Sequence, residues 1–147
     1  MTYRSRPRYE TQQDRDNETL VQGVIERWAK CTLYKTPAQD HLDWKAFRDG
    51  KLVAIIEFKK RSNPRLQYPT YMVSKKKIDR GMARSKELSV PFIFIVQWTD
   101  GLHYLTMNDD TPMTVGQGGR VDRGDQFDIE QMAYFDTKLF KRIIPAV

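Results

Sequence analysis

Three residues near the middle of the chain have types and spacing suited to chemistry: Asp43, Glu57 and Lys59, with Asp49-Gly50 between the two acids. Only Phe58 separates Glu57 from Lys59, so on an extended strand both project from one face. Two carboxylates and an ammonium so placed suit the hydrolysis of a phosphodiester. A hard divalent cation such as Mg²⁺ takes oxygen ligands and keeps several waters, so one or two carboxylates hold it against a phosphate. Asp43 and Glu57 would supply them, and the ion would polarise the phosphoryl oxygen and acidify its bound water. Lys59 would orient that water or offset the charge that develops. Glu18 would complete the metal site if the first helix packs across the sheet. Cys31 is the single cysteine, and with only His41 and His103 beside it the common zinc sets are absent, so oxygen must hold any metal.

These side chains need a hairpin to meet. Strand-forming residues run over 42–48 and 51–59 around the turn signal Asp49-Gly50, which predicts two antiparallel strands, Leu42 to Arg48 and Lys51 to Lys59. Loops of two and of three residues put opposite sets of side chains on one face. With two residues, Leu42 and Trp44 share a face with Glu57 and Lys59. With three, ending in a left-handed Gly50, Leu42, Trp44 and Ala46 join Leu52, Ala54, Ile56 and Phe58, and apolar grouping favours this register. Asp43 then lies diagonal to Glu57 on the other face, with backbones about 7 to 8 Å apart.

The flanking elements follow from periodicity. Thr11 and Asp14 form a capping-box pattern ahead of Leu20, Val21, Val24, Ile25 and Trp28, predicting a helix from about Gln12 to Lys30. An extended piece near Thr32 to Tyr34 precedes the hairpin. A second helix is expected from Tyr71 to Ser89, with Ile78, Met82 and Leu88 inward. Lys76, Arg80 and Arg84 recur every four residues on it as a cationic rail with Lys77 beside them. Apolar residues from Pro91 to Trp98 read as a central strand, and Asp100-Gly101 turns it into a second hairpin with Leu102 to Met107. Gly116, Gly118 and Gly119 read as a flexible connection, Met132 to Phe135 as an edge strand, and Thr137 to Ile143 as a short closing helix. Residues 1–10 are expected to form a mobile basic arm, and 11–147 a single domain.

Charge is unevenly spread. The 147 residues carry a net charge of +6, yet the segment Lys59 to Lys86 holds ten cations against one acid, Asp79, or +9 by itself. A basic zone on a balanced background points to a polyanionic partner, and Arg61, Lys76, Lys77, Arg80 and Arg84 are the expected phosphate contacts. With 30% charged residues and no apolar run near the roughly 20 residues of a membrane helix, no membrane span is expected. The basic start leads into polar residues, so no signal peptide is read and a cytoplasmic location is the expectation.

The segment Asp43 to Lys59 resembles the PD-(D/E)XK nuclease superfamily, with Glu57-Phe58-Lys59 as its Glu-X-Lys element. Leu42 stands where the family name would have Pro. The wider pattern, with Glu18 on the first helix, Thr70-Tyr71-Met72 opening the second, Val96 to Gly101 after it and Asp125 to Ile129 near the end, is similar to small single-domain members encoded by bacteriophages. The resemblance spans roughly residues 11–143. It implies an α/β fold of restriction-endonuclease type, a mixed β-sheet flanked by helices with an α-β-β-β-α-β core. It also implies a Mg²⁺-dependent endonuclease, with Mn²⁺ as a substitute, that acts on DNA, often as a homodimer, and in some members resolves Holliday junctions. The alternative is a non-catalytic module of the same fold that binds nucleic acid or a host protein. An RNA substrate is a third reading, since no element that recognises the 2′-hydroxyl stands out.

Overall fold

The structure is a computed structural model that describes residues 11–37, 42–119 and 129–144. The basic arm of residues 1–10, His41 and Asp122, Asp125 and Asp128 lie outside the described residues. Helix α1 (Gln12–Ala29) opens with the expected capping box: Thr11 Oγ1 accepts from the Asp14 N–H and Asp14 Oδ2 from the Thr11 N–H, both at 3.1 Å. Its buried stripe is narrower than expected. Val21 and Ile25 are buried with Val24 and Trp28 packed beside them, whereas Leu20 is 72% exposed, one residue and so about 100° off that stripe.

Strands β1 (Thr32–Lys35), β2 (Trp44–Arg48) and β3 (Lys51–Lys60) form an antiparallel meander. The loop between β2 and β3 has two residues, not three. Asp49 and Gly50 both take positive φ, 51° and 75°, as in the hairpin turn that matches strand twist. The pairing then shifts at a bulge between Ala46 and Phe47, which brings Trp44 opposite Ile56 and Ala46 opposite Ala54. The apolar grouping of those four residues is therefore reached by a bulge in the strand. Leu52 pairs with Phe47 instead, and Leu42 packs in the other core.

The segment expected to open the second helix is a strand, β4 (Thr70–Ser74), and α2 spans Lys75–Leu88. Tyr71 and Val73 are buried and Thr70 and Met72 exposed, the period of two of a strand and not that of a helix. Strands β5 (Phe92–Trp98) and β6 (Gly101–Met107) form the second hairpin, and β5 runs parallel to β3. The glycine segment expected to be a loose connection is strand β7 (Thr114–Gly119), and the expected edge strand is β8 (Ile129–Asp136), central in a small sheet of order β4-β8-β7. In place of a closing helix, one 3-10 turn at Thr137–Leu139 leads to β9 (Lys141–Arg142), which pairs with His103 and Tyr104. The main sheet has six strands in the order β1-β2-β3-β5-β6-β9.

Alternation along β3 divides the molecule. Ile56 and Phe58 face the core that contains Val21 and Ile25 of α1, whereas Ile55 faces the core that contains Ile78 of α2 and Tyr71 of β4. Glu57 and Lys59 share the α2 side with Ile55. Gly81 allows α2 to lie close: a Cβ there would stand 2.2 Å from Phe92 Cε2.

Candidate active site

Asp43 enters the site just before β2. Its N–H donates to Ile56 O at 3.0 Å, extending the hairpin, and its Oδ2 accepts from the Phe58 N–H at 2.7 Å. The carboxylate is thus fixed against the backbone between Glu57 and Lys59. Glu57 is 2% exposed. An acid so buried needs partners, and Lys77 of α2 donates to Glu57 Oε1 at 2.8 Å while Lys59 Nζ lies 3.6 Å from the same oxygen. Asp43, Glu57 and Lys59 come together as the register requires, and Lys77 joins them.

Burial, then the neighbouring Asp43, pushes the Glu57 carboxyl above its ordinary value, with the two lysines working against the rise. The lysines diverge. Burial, and next the adjacent Lys77, holds Lys59 below the ordinary ammonium value. Burial also opposes the charge on Lys77, but its hydrogen bond to Glu57 and the nearby acids raise it above that value. Lys59 is therefore the ammonium that more readily gives up its proton.

Glu18 does not join this cluster. Its Oε1 pairs with Lys35 Nζ at 3.1 Å, and α1 packs on the side of β3 opposite to Glu57. Among the described residues no group of three or more His, Cys, Asp or Glu could hold a metal. The two carboxylates nevertheless suit a hard cation: both are oxygen donors, Asp43 lies near enough to Glu57 to raise its pKa, and two ammonium groups already gather at Glu57 Oε1.

The expected phosphate contacts separate into two groups. Lys76 and Arg80 are exposed on α2, while Arg84 is held by Glu87 at 2.8 Å and Lys77 turns inward to Glu57. Arg61 lies with its guanidinium 4.6 Å from the centre of the Tyr71 ring and donates to Met72 O at 3.3 Å. Lys77 was legible only as a neighbour of the rail. Its inward role follows from the start of α2 directly after β4, a boundary that period-two burial at Tyr71 and Val73 could have revealed.

A mixed sheet that carries an acid before one strand and Glu-X-Lys on the next, set between helices, defines the PD-(D/E)XK nuclease class. The fold is similar to that of Hjc from Archaeoglobus fulgidus, a Holliday junction resolvase from an archaeal hyperthermophile, with a TM-score of 0.55 and 12% sequence identity over 88% of this chain and 89% of that one. No match is found among the curated proteins. Residues 4–143 match the family described as "Phage putative PDDEXK endonuclease", and the chain belongs to that family. No described helix is long and apolar enough to cross a membrane.

Proposed function

We propose that the chain is a metal-dependent endodeoxyribonuclease, with Asp43 and Glu57 as the metal pair and Lys59 as the group that handles the attacking water. The observation that carries this reading is the convergence of Lys59 and a fixed Asp43 on a Glu57 that is almost wholly buried. A carboxylate kept there without a task would cost stability, since replacing a buried ionic cluster by apolar residues is often neutral or favourable. A bound Mg²⁺ or Mn²⁺ supplies Lewis acidity and offsets charge on the phosphoryl oxygens. Asp43 is held by the Phe58 N–H, so its position is set before substrate arrives. Lys59, with its lowered pKa, accepts a hydrogen bond or proton from water in its neutral form and steadies the transition state in its charged form. Lys76 and Arg80 on the exposed face of α2 lead the DNA backbone towards this centre, and Arg61 continues the track along β3.

The likeness in fold to a resolvase makes branched DNA the substrate to try first, and a homodimer would give one centre for each of two strands. The test is a cleavage panel of four-way, flapped, single-stranded and linear duplex DNA with and without Mg²⁺. Metal-dependent nicking lost in Lys59→Ala is the expected result; binding without cleavage of any substrate in Mg²⁺ or Mn²⁺ would leave the binding module as the better reading.

A further inference from the structure

Beside the proposed centre lies a groove of about 500 Å³, walled by Arg61, Arg65, Tyr68, Tyr71, Met72 and Trp98 among others, with no acid among the described residues that line it. Its size falls within the roughly 300–1,000 Å³ of small-ligand sites. The two arginines are pre-positioned: Arg65 donates to Thr137 O at 2.9 Å, and Arg61 rests on Tyr71. Each keeps further N–H donors for an anion. Tyr68 is 56% exposed and Met72 43%, so an aromatic and a thioether of the lining are open to solvent, with the Tyr68 hydroxyl accepting from Gln67 Nε2 at 3.2 Å. Cations and aromatic faces without acids suit a ligand that is both anionic and flat. The two grooves that share Met82 differ, since Lys86 and Asp109 bring both signs to each of them.

The groove is joined to the catalytic side of the sheet. Glu57 and Lys59 share one face of β3, and Arg61, the residue after the strand, continues the pairing, its N–H donating to Gln97 O at 2.8 Å. Phe94 sits opposite Glu57 in the sheet, and the Tyr71 ring packs 5.7 Å from the Phe94 ring. From Glu57 to Arg61 the strand rises roughly 13 Å. A phosphate at the centre and a nucleotide in the groove can therefore belong to one strand.

We propose that this groove takes one unpaired nucleotide of the DNA strand entering the centre, its base stacked on Tyr68 and its phosphate held by Arg61 and Arg65. The inference rests on the nuclease reading for the direction of the strand but not for the binding itself. A base inside a duplex is stacked and cannot enter, whereas an unpaired one enters at little cost. Stacking on one aromatic side chain is sequence-tolerant, so the groove would select strand state and not sequence.

The test measures binding by fluorescence anisotropy in the Glu57→Gln background, using a labelled duplex and the same duplex with an unpaired stretch at its centre. Tyr68→Ala is expected to weaken binding of the gapped-pairing probe about tenfold and to leave the full duplex within about twofold, and Tyr68→Phe to restore it. Tyr68 is exposed, so the variant keeps its fold, and circular dichroism verifies this. Equal loss on both probes, or none on either, overturns the groove assignment. Cleavage by the protein with Glu57 intact is scored separately: if it cuts no DNA while Tyr68→Ala still loses the unpaired probe selectively, the groove stands and the nuclease reading falls. Cutting with no selective loss gives the reverse.

Discussion

Glu18 and Glu57 both face lysines, and their settings differ sharply. Glu18 meets Lys35 at 3.1 Å, with that lysine's side chain 64% exposed. Glu57 is nearly sealed and gathers two ammonium groups on a single oxygen. Water screens the first pair and leaves it little energy. In the second the same charges act in a medium where both the attraction and the cost of desolvation are large, and the pKa values of all three groups move. An ion pair near a surface is common; a buried acid with an unequal pair of lysines is costly, and the proposed function gives that cost a reason.

The largest contrast is expected in catalysis. Lys59→Ala should lower the cleavage rate by about 10²- to 10⁴-fold, whereas Lys35→Ala should leave it within about twofold, as single-turnover assays on one DNA substrate would show. Comparable losses would erase the distinction between the pairs. Next in size is packing. Gly81→Ala would drive a methyl into the Phe92 ring and push α2, with Lys77, away from Glu57. A destabilisation of about 1–3 kcal/mol is expected in urea unfolding, with a fall in cleavage, while α1 and its Glu18 pair stay in place.

A pH effect follows from Glu57. If Glu57 binds the metal as proposed it must be ionised, and this carboxyl is raised above its usual 4.5 by burial and then by Asp43. Protonation on acidification removes the ligand, so calorimetric Mg²⁺ affinity should begin to fall at a higher pH than an ordinary carboxylate would allow. Lys77→Met deletes a group that lowers this value, so the falling edge should move further up in pH. Above that edge, where Glu57 is ionised, the same variant should bind Mg²⁺ about tenfold more tightly, because the Lys77 ammonium no longer competes for Glu57 Oε1 and Lys59 alone is left beside it. The smallest effect belongs to the surface pair: Lys35→Met should change stability by no more than about 0.5 kcal/mol.

Much of the centre was legible because strand chemistry is local. Asp43, Glu57 and Lys59 needed only a hairpin and a period of two to fall together, and Trp44, Ala46, Ala54 and Ile56 showed which register grouped them. The bulge that produces this register was not legible, since a longer loop gives nearly the same faces. Glu18 misled because a helical wheel places a carboxylate beside a buried stripe without saying which face of the sheet that stripe covers. Thr70–Ser74 escaped because it pairs with β8, far along the chain, and long-range pairing leaves little local trace, whereas Thr114–Gly119 escaped because its glycines have low strand propensity. Lys77 was read as one more cation of the rail, as nothing in a lysine's neighbours announces a buried partner twenty residues away.

The most direct test of the account sets the two glutamates side by side. Mg²⁺-dependent cleavage of a labelled four-way junction and of linear duplex is measured for the unaltered protein, Glu57→Gln and Glu18→Gln under identical conditions. The account expects Glu57→Gln to cut nothing detectable and Glu18→Gln to cut within about twofold of the unaltered protein. Cleavage that survives Glu57→Gln, or that is abolished equally by Glu18→Gln, would contradict it.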